Sequence, residues 1–182
     1  ISHSHVVYHS NEAQIAGSAI YAIDGKYFYN YWSNFYQNSV LKPTATGVYT
    51  DFDGGCIFAQ LVVNILNFKC RFMKNRAVGI EITEVESGGV FYATKVRNIT
   101  NIRCFFLNNH ASHRGGAFYI TNGKWFANYH CSYFNNTVKY LEGGAVMFNH
   151  IDIVINVGVN FTNNLAEFAQ RGGAISMTGN PM

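Results

Sequence analysis

The sequence predicts an all-β chain, a right-handed parallel β-helix with three short strands per coil and about five complete coils, plus partial coils at both ends. Three observations predict it. A glycine pair, or Gly-Ser in the first copy, followed by small and apolar residues recurs six times, starting at Gly17, Gly54, Gly88, Gly115, Gly143 and Gly172. Counted from the first glycine of each copy, position +13 is Asn30, Asn67, Asn101, Asn128 and Asn156, and position +21 is Asn38, Asn75, Asn109, Asn136 and Asn164. Apolar residues within a copy are spaced by two, which is the spacing of strands and not of helices.

The first strand is expected at +1 to +5. Positions +3 and +5 are apolar together, as in Ile57 with Ala59 and Phe118 with Ile120, so they face inward. Position +4 then faces out and forms an aromatic column of Tyr21, Phe58, Tyr92 and Tyr119, continued by Met147. A second strand at +10 to +12 carries Phe28, Ile65, Ile99, Phe126 and Val154 at +11. A third at +14 to +18 holds a small residue at +16 (Ser33, Cys70, Cys104, Cys131, Val159) and a ring at +18 (Phe35, Phe72, Phe106, Tyr133, Phe161). The alternate positions +15 and +17 are mixed and more polar, as a solvent face should be. Asp24-Gly25, Asn122-Gly123 and the Asn columns supply turn chemistry. The Asn columns are expected to accept left-handed backbone and to bond along the stack. Stacking coils at about 4.8 Å turns every column into a ladder of like side chains, and parallel crossovers make the coil right-handed.

The same ruler fits Tyr8 to Ala13 onto +18 to +23. Residues 1–16 therefore read as the end of a preceding coil, and residues 1–182 as a single β-helix segment of a longer repeat protein. Linkers between +23 and the next glycine vary in length, which marks one corner as a loop face.

Composition narrows the function. Charged residues are 13% of the chain and hydrophobic ones 48%, against roughly 25% charged in average domains, so the chain is not a solvated disordered one. A net charge of +3 is too small for the basic stripe of a nucleic-acid binder. No apolar run reaches the roughly 18 residues of a membrane span.

Several residues carry candidate chemistry. Cys70, Cys104 and Cys131 should stack as inward thiols, with smallness as the selected property, and a disulfide framework is the lesser reading. Asp51 and Asp53 precede the second glycine pair, and Glu84 and Glu86 precede the third. These four are the catalytic candidates if the chain is a carbohydrate-active enzyme, a lyase or glycoside hydrolase, of the same fold. The chain has only ten acids and no third Asp joins these on the same ladder, so a structural role is preferred over catalysis. No cofactor is expected, calcium between these loops being the one ion they could take. No metal site is expected at the histidines. Tyr21, Phe58, Tyr92 and Tyr119 form either a platform for sugar rings or a lateral contact, the alternatives being that a long loop or partner covers the column or that it faces inward. Asn98, Asn135 and Asn160 head glycosylation sequons.

The pairing of Gly172-Gly173-Ala174-Ile175 with Phe35-x-x-Asn38, Phe72-x-x-Asn75, Phe106-x-x-Asn109 and Phe161-x-x-Asn164 resembles the polymorphic outer membrane protein repeats of chlamydial surface autotransporters. That resemblance implies a pectin-lyase-like β-helix that is extracellular or at the cell surface and serves as a stalk, adhesin or fibre component. It transfers no active site. The expected function is therefore a rigid rod presenting loops and aromatic ladders for surface attachment, glycan contact or fibre assembly. Its expected partners are carbohydrate or other surface ligands, and copies of itself end to end or side by side.

Overall fold

A computed structural model describes residues 1–41, 54–79, 87–168 and 171–179. Every strand pairing is parallel, and the strands form three sheets of ten, six and six strands. Each coil crosses all three sheets before rising one rung, the topology of a right-handed parallel β-helix.

Three faces per coil hold, but their boundaries differ from the expected ones. The first face consists of two segments, at +3 to +6 and +10 to +14, as in Ile57–Gln60 and Asn64–Phe68. In the coils that start at Gly115 and Gly143 the two fuse into the single twelve-residue strands Phe118–Tyr129 and Val146–Val157. The second face lies at +17 to +19, as in Arg71–Met73, so the stretch expected as one strand from +14 to +18 is broken by a bend. The third face begins at +22, as in Ser39–Leu41 and Arg76–Val78, just beyond the second Asn column.

The bends come from left-handed backbone at the first glycine of each copy and at three further fixed positions. These are +7 (Asp24, Leu61, Lys95, Asn122, His150), +15 (His5, Trp32, Lys69, Arg103, His130) and +20 (Ser10, Gln37, Lys74, Asn108, Asn135, Asn163), with φ between 48 and 56°. The expectation that the Asn columns take this conformation is therefore corrected. Asn67 and Asn101 lie inside extended strands, and the +21 residues follow the left-handed residue instead of being it.

The glycine pair marks a point of close approach. A Cβ on Gly116 would run into the Gly144 carbonyl of the next rung and the Thr137 backbone of the third sheet. No side chain fits at Gly55, Gly89, Gly116 or Gly144, whereas the first copy holds Ser18 there and Gly173 has room for a Cβ.

The core is a set of ladders. Tyr8, Phe35, Phe72, Phe106, Tyr133 and Phe161 stack face to face at centroid spacings of 4.7, 4.7, 5.0, 4.5 and 4.8 Å. Phe35, Phe72 and Phe106 are wholly buried. Each such ring contributes roughly 2–3 kcal/mol through burial and about 0.5–1.5 more through ring packing.

Candidate functional site

Both Asn columns stack as the sequence predicts. At +13 each Nδ2 donates to the Oδ1 of the next rung: Asn30 to Asn67, Asn67 to Asn101, Asn101 to Asn128 and Asn128 to Asn156, at 2.8–2.9 Å. At +21 the bonding is denser. The Oδ1 of Asn109 accepts from both the backbone N–H and the Nδ2 of Asn75, while its own Nδ2 donates to the Phe72 carbonyl and to Asn136 Oδ1. Asn38, Asn75 and Asn136 repeat this pattern, and Asn164 accepts both bonds from Asn136 and donates to the Tyr133 carbonyl. The first column ties rungs through side chains alone, and the second clamps the bend between the second and third sheets.

Position +18 changes from Phe to Tyr in two places, and each hydroxyl finds a partner at +13 of its own coil. Tyr133 donates to Asn128 Oδ1 at 2.9 Å, and the Tyr8 hydroxyl is 2.7 Å from Nδ1 of His3, which replaces Asn on the first rung. Burial pushes the Tyr133 phenol well above its ordinary range, so it stays protonated and keeps that bond.

Cys56, Cys70, Cys104 and Cys131 are all free and buried. The Cys104 sulfur lies 3.3 Å from the Asn67 carbonyl and 3.4 Å from that of Ile102, with equivalent contacts at Cys70 and Cys131. Ser33, in the same column, donates to the Tyr31 carbonyl. The column thus favours a small side chain that can also donate weakly. Burial, with Cys131 and Cys70 as neighbours, holds the Cys104 thiol well above the usual thiol range, which makes it a poor nucleophile.

The outward aromatic column forms, but it is not uniform. Tyr21 and Phe58 stack at 4.9 Å and 11°, and Phe58 and Tyr92 at 5.5 Å and 4°. Tyr119 is tilted by 59° from Tyr92, and the Arg114 guanidinium lies 5.8 Å from its ring centroid. Exposure falls from 58% at Tyr21 to 9% at Tyr119 and 3% at Met147. The stripe is therefore open at its first rungs and closed at its last. Because neighbouring rings occupy one another's faces, the open part offers edges and hydroxyls to a partner, with little room for a sugar to lie flat between rings.

Asp51, Asp53, Glu84 and Glu86 lie outside the described residues, so neither the catalytic nor the calcium reading is placed. Among the described residues no three His, Cys, Asp or Glu side chains gather as a metal site. Asn98 is half-buried in its strand and its Nδ2 donates to Asn64 Oδ1, whereas Asn135 and Asn160 are exposed and Asn135 Nδ2 is bonded to Asn108.

Two surface clefts line the rod. One, between the second and third sheets, is bordered by Glu12, Lys74, Arg76 and His110. Burial chiefly, then Arg76 and Lys139, lowers the pKa of His110 to about 4, and its Nδ1 is 2.8 Å from Thr137 Oγ1. The other is formed by the outward +15 and +17 columns. The residue types of those columns share no repeat, so by sequence they are plain solvent face.

No helix among the described residues is long and apolar enough to cross a membrane. No curated protein and no solved structure matches the chain significantly. Residues 103–121, which hold Phe106-x-x-Asn109 and Gly115-Gly116-Ala117-Phe118, match the Chlamydia polymorphic membrane protein repeat: this stretch is similar to that repeat, and the register carries its pattern into the coils on either side.

Proposed function

We propose that the chain is a rigid β-helical segment of a cell-surface protein, adhesive or structural in role, that makes lateral contact through its outward aromatic stripe. A place at the surface follows the repeat it resembles, whose family is one of membrane proteins. The observation that carries the reading is the contrast between an interior repeated at every rung and an exterior that changes from rung to rung. Such a chain keeps its shape whatever it displays, and repeated columns allow multivalent contact.

Tyr21 and Phe58 are the contact residues on this reading, because they form the more open end of the stripe, Tyr21 exposed and Phe58 half-buried. Stacked rings presenting edges suit the flank of a second copy or a surface polymer lying across them. The test is sedimentation velocity over a concentration series. The wild-type chain should associate side by side, and the pair Tyr21→Ser with Phe58→Ser should remain monomeric with an unchanged melting temperature. Association that survives this pair, or a wild-type chain that stays monomeric throughout, overturns the assignment.

A further inference from the structure

The cleft between the +15 and +17 columns has the composition of a binding trough for an acidic sugar chain, and we propose that it takes an anionic glycan laid along the rod. It encloses about 540 Å³ and spans four consecutive rungs. Three cations line it: Lys69 and Arg71 from one rung, and Arg103 from the next. No carboxylate lines it, and none of the three has a carboxylate partner among the described residues. On the remaining rungs stand Trp32 and Asn34 at one end and His130 at the other, with Phe105 beside Arg103.

The two rings in the trough are prepared differently. Trp32 is already occupied: His5 stacks on it at 5.2 Å and 7°, and Lys69 Nζ lies 5.7 Å from its centroid. It therefore forms a wall and holds the Lys69 ammonium in place. Phe105 makes no ring contact among the described residues, is 50% exposed, and lies in register between Arg71 and the small Ser132. No described ring stacks on it, unlike Phe58 and Tyr92 of the aromatic stripe. A pyranose has an apolar C–H face that suits an open ring, and its carboxylate or sulfate groups suit guanidinium forks. The cations step along the trough at the rung spacing of about 4.8 Å, close to the advance of one sugar unit in an extended chain. A linear acidic glycan can thus repeat its contacts where a single small anion cannot.

This deepens the surface-rod reading by giving it a ligand class, at a face separate from the aromatic stripe. Loss of self-association with glycan binding retained removes the stripe alone, and the reverse result removes the trough alone.

The test is calorimetric titration of the whole chain with a heparin-derived hexasaccharide, which is sulfated, and with hexagalacturonate, which carries carboxylates. A neutral hexasaccharide and a single-stranded DNA dodecamer serve as comparisons. At least one acidic hexamer should bind and the neutral one should not, and whichever binds identifies the anion. Arg71→Gln with Arg103→Gln should weaken binding roughly ten- to hundredfold, and Phe105→Ala about three- to tenfold. Phe105→Tyr, which keeps the ring, should retain binding, as should Lys139→Gln, an exposed cation on another face. All these side chains are at the surface, and matching melting curves confirm that the variants fold. The proposal is overturned if neither acidic hexamer binds, if Phe105→Ala has no effect, if Lys139→Gln weakens binding as much as the trough variants, or if the DNA binds more tightly than both glycans.

Discussion

Two aromatic columns run along the rod, one inside at +18 and one outside at +4. They share the rung spacing and the preference for Phe and Tyr. The inner column stacks within 13° of parallel at every step from Tyr8 to Phe161. The outer one stacks for two steps, tilts by 59° at the third, and then passes to Met147 and Ser176. Inside, the rings from Phe35 to Tyr133 are bounded above, below and on every side, so a change of size leaves a cavity or a clash. Outside, only the rungs above and below constrain it, and the rest is set by what folds over it, such as Arg114 at Tyr119. Uniformity along a column therefore measures enclosure, and variation marks the surface free to diverge.

The comparison can be broken most directly at the middle of the inner column. Phe106→Ala should cost about 3–5 kcal/mol, the cost of an emptied site in a closed core, seen as a large fall in the urea midpoint. Asn109→Ala should come next, at roughly 2–3 kcal/mol, because it strands the Asn75 amides and removes a bond to the Phe72 carbonyl. A cost near that of an exposed substitution would show that the amide column only decorates the bend.

A smaller effect is expected at the half-buried third face. The pKa of His110 is about 4 in the fold against 6.5 ordinarily, so between those values the unfolded chain takes up a proton that the folded chain refuses. Its contribution is complete above about pH 6.5 and declines as the pH drops toward 4. Melting temperatures at pH 7 and pH 5 should differ less in His110→Gln than in the wild type, and an equal difference would place the acid sensitivity elsewhere. The least effect belongs to the outer column, where Tyr21→Ser should change stability by under about 0.5 kcal/mol. A loss as large as that at Asn109 would erase the distinction between the columns.

The register was legible because it rests on residues with no substitute. Only Asn bonds its neighbour through both ends of one amide at +21, and only Gly escapes the Gly144 carbonyl at Gly116. The bends were legible at +7 only in the coils where Asp24-Gly25 and Asn122-Gly123 mark them, and at +15 and +20 not at all. Asp24, Leu61, Lys95, Asn122 and His150 share a left-handed backbone and nothing else. The conformational cost of about 1–2 kcal/mol is offset by pairing on both sides, so residues such as Leu61, Lys95 and Trp32 are tolerated there beside the Asn and Gly that suit it. The third face escaped notice as well, since Glu12–Ala13, His110–Ala111 and Leu165–Ala166 are too short to show a period. The candidate stripe was read correctly as outward at Tyr21, but its closing at Tyr119 depends on a cation from the preceding linker, which spacing alone does not reveal. The trough was invisible because Lys69, Arg71, Arg103 and Phe105 come from two coils and two columns.

The backbone bonds that join rungs, such as Lys74 N–H to the Leu107 carbonyl and Asn108 N–H to that of Phe134, point along the rod. A pull on its two ends would load successive rungs in series, so the same force reaches each and the weakest gives way first. A sideways push is instead shared among three walls at once. Anchored by its flank, such a rod would withstand drag; hung by its tips, it would peel open coil by coil.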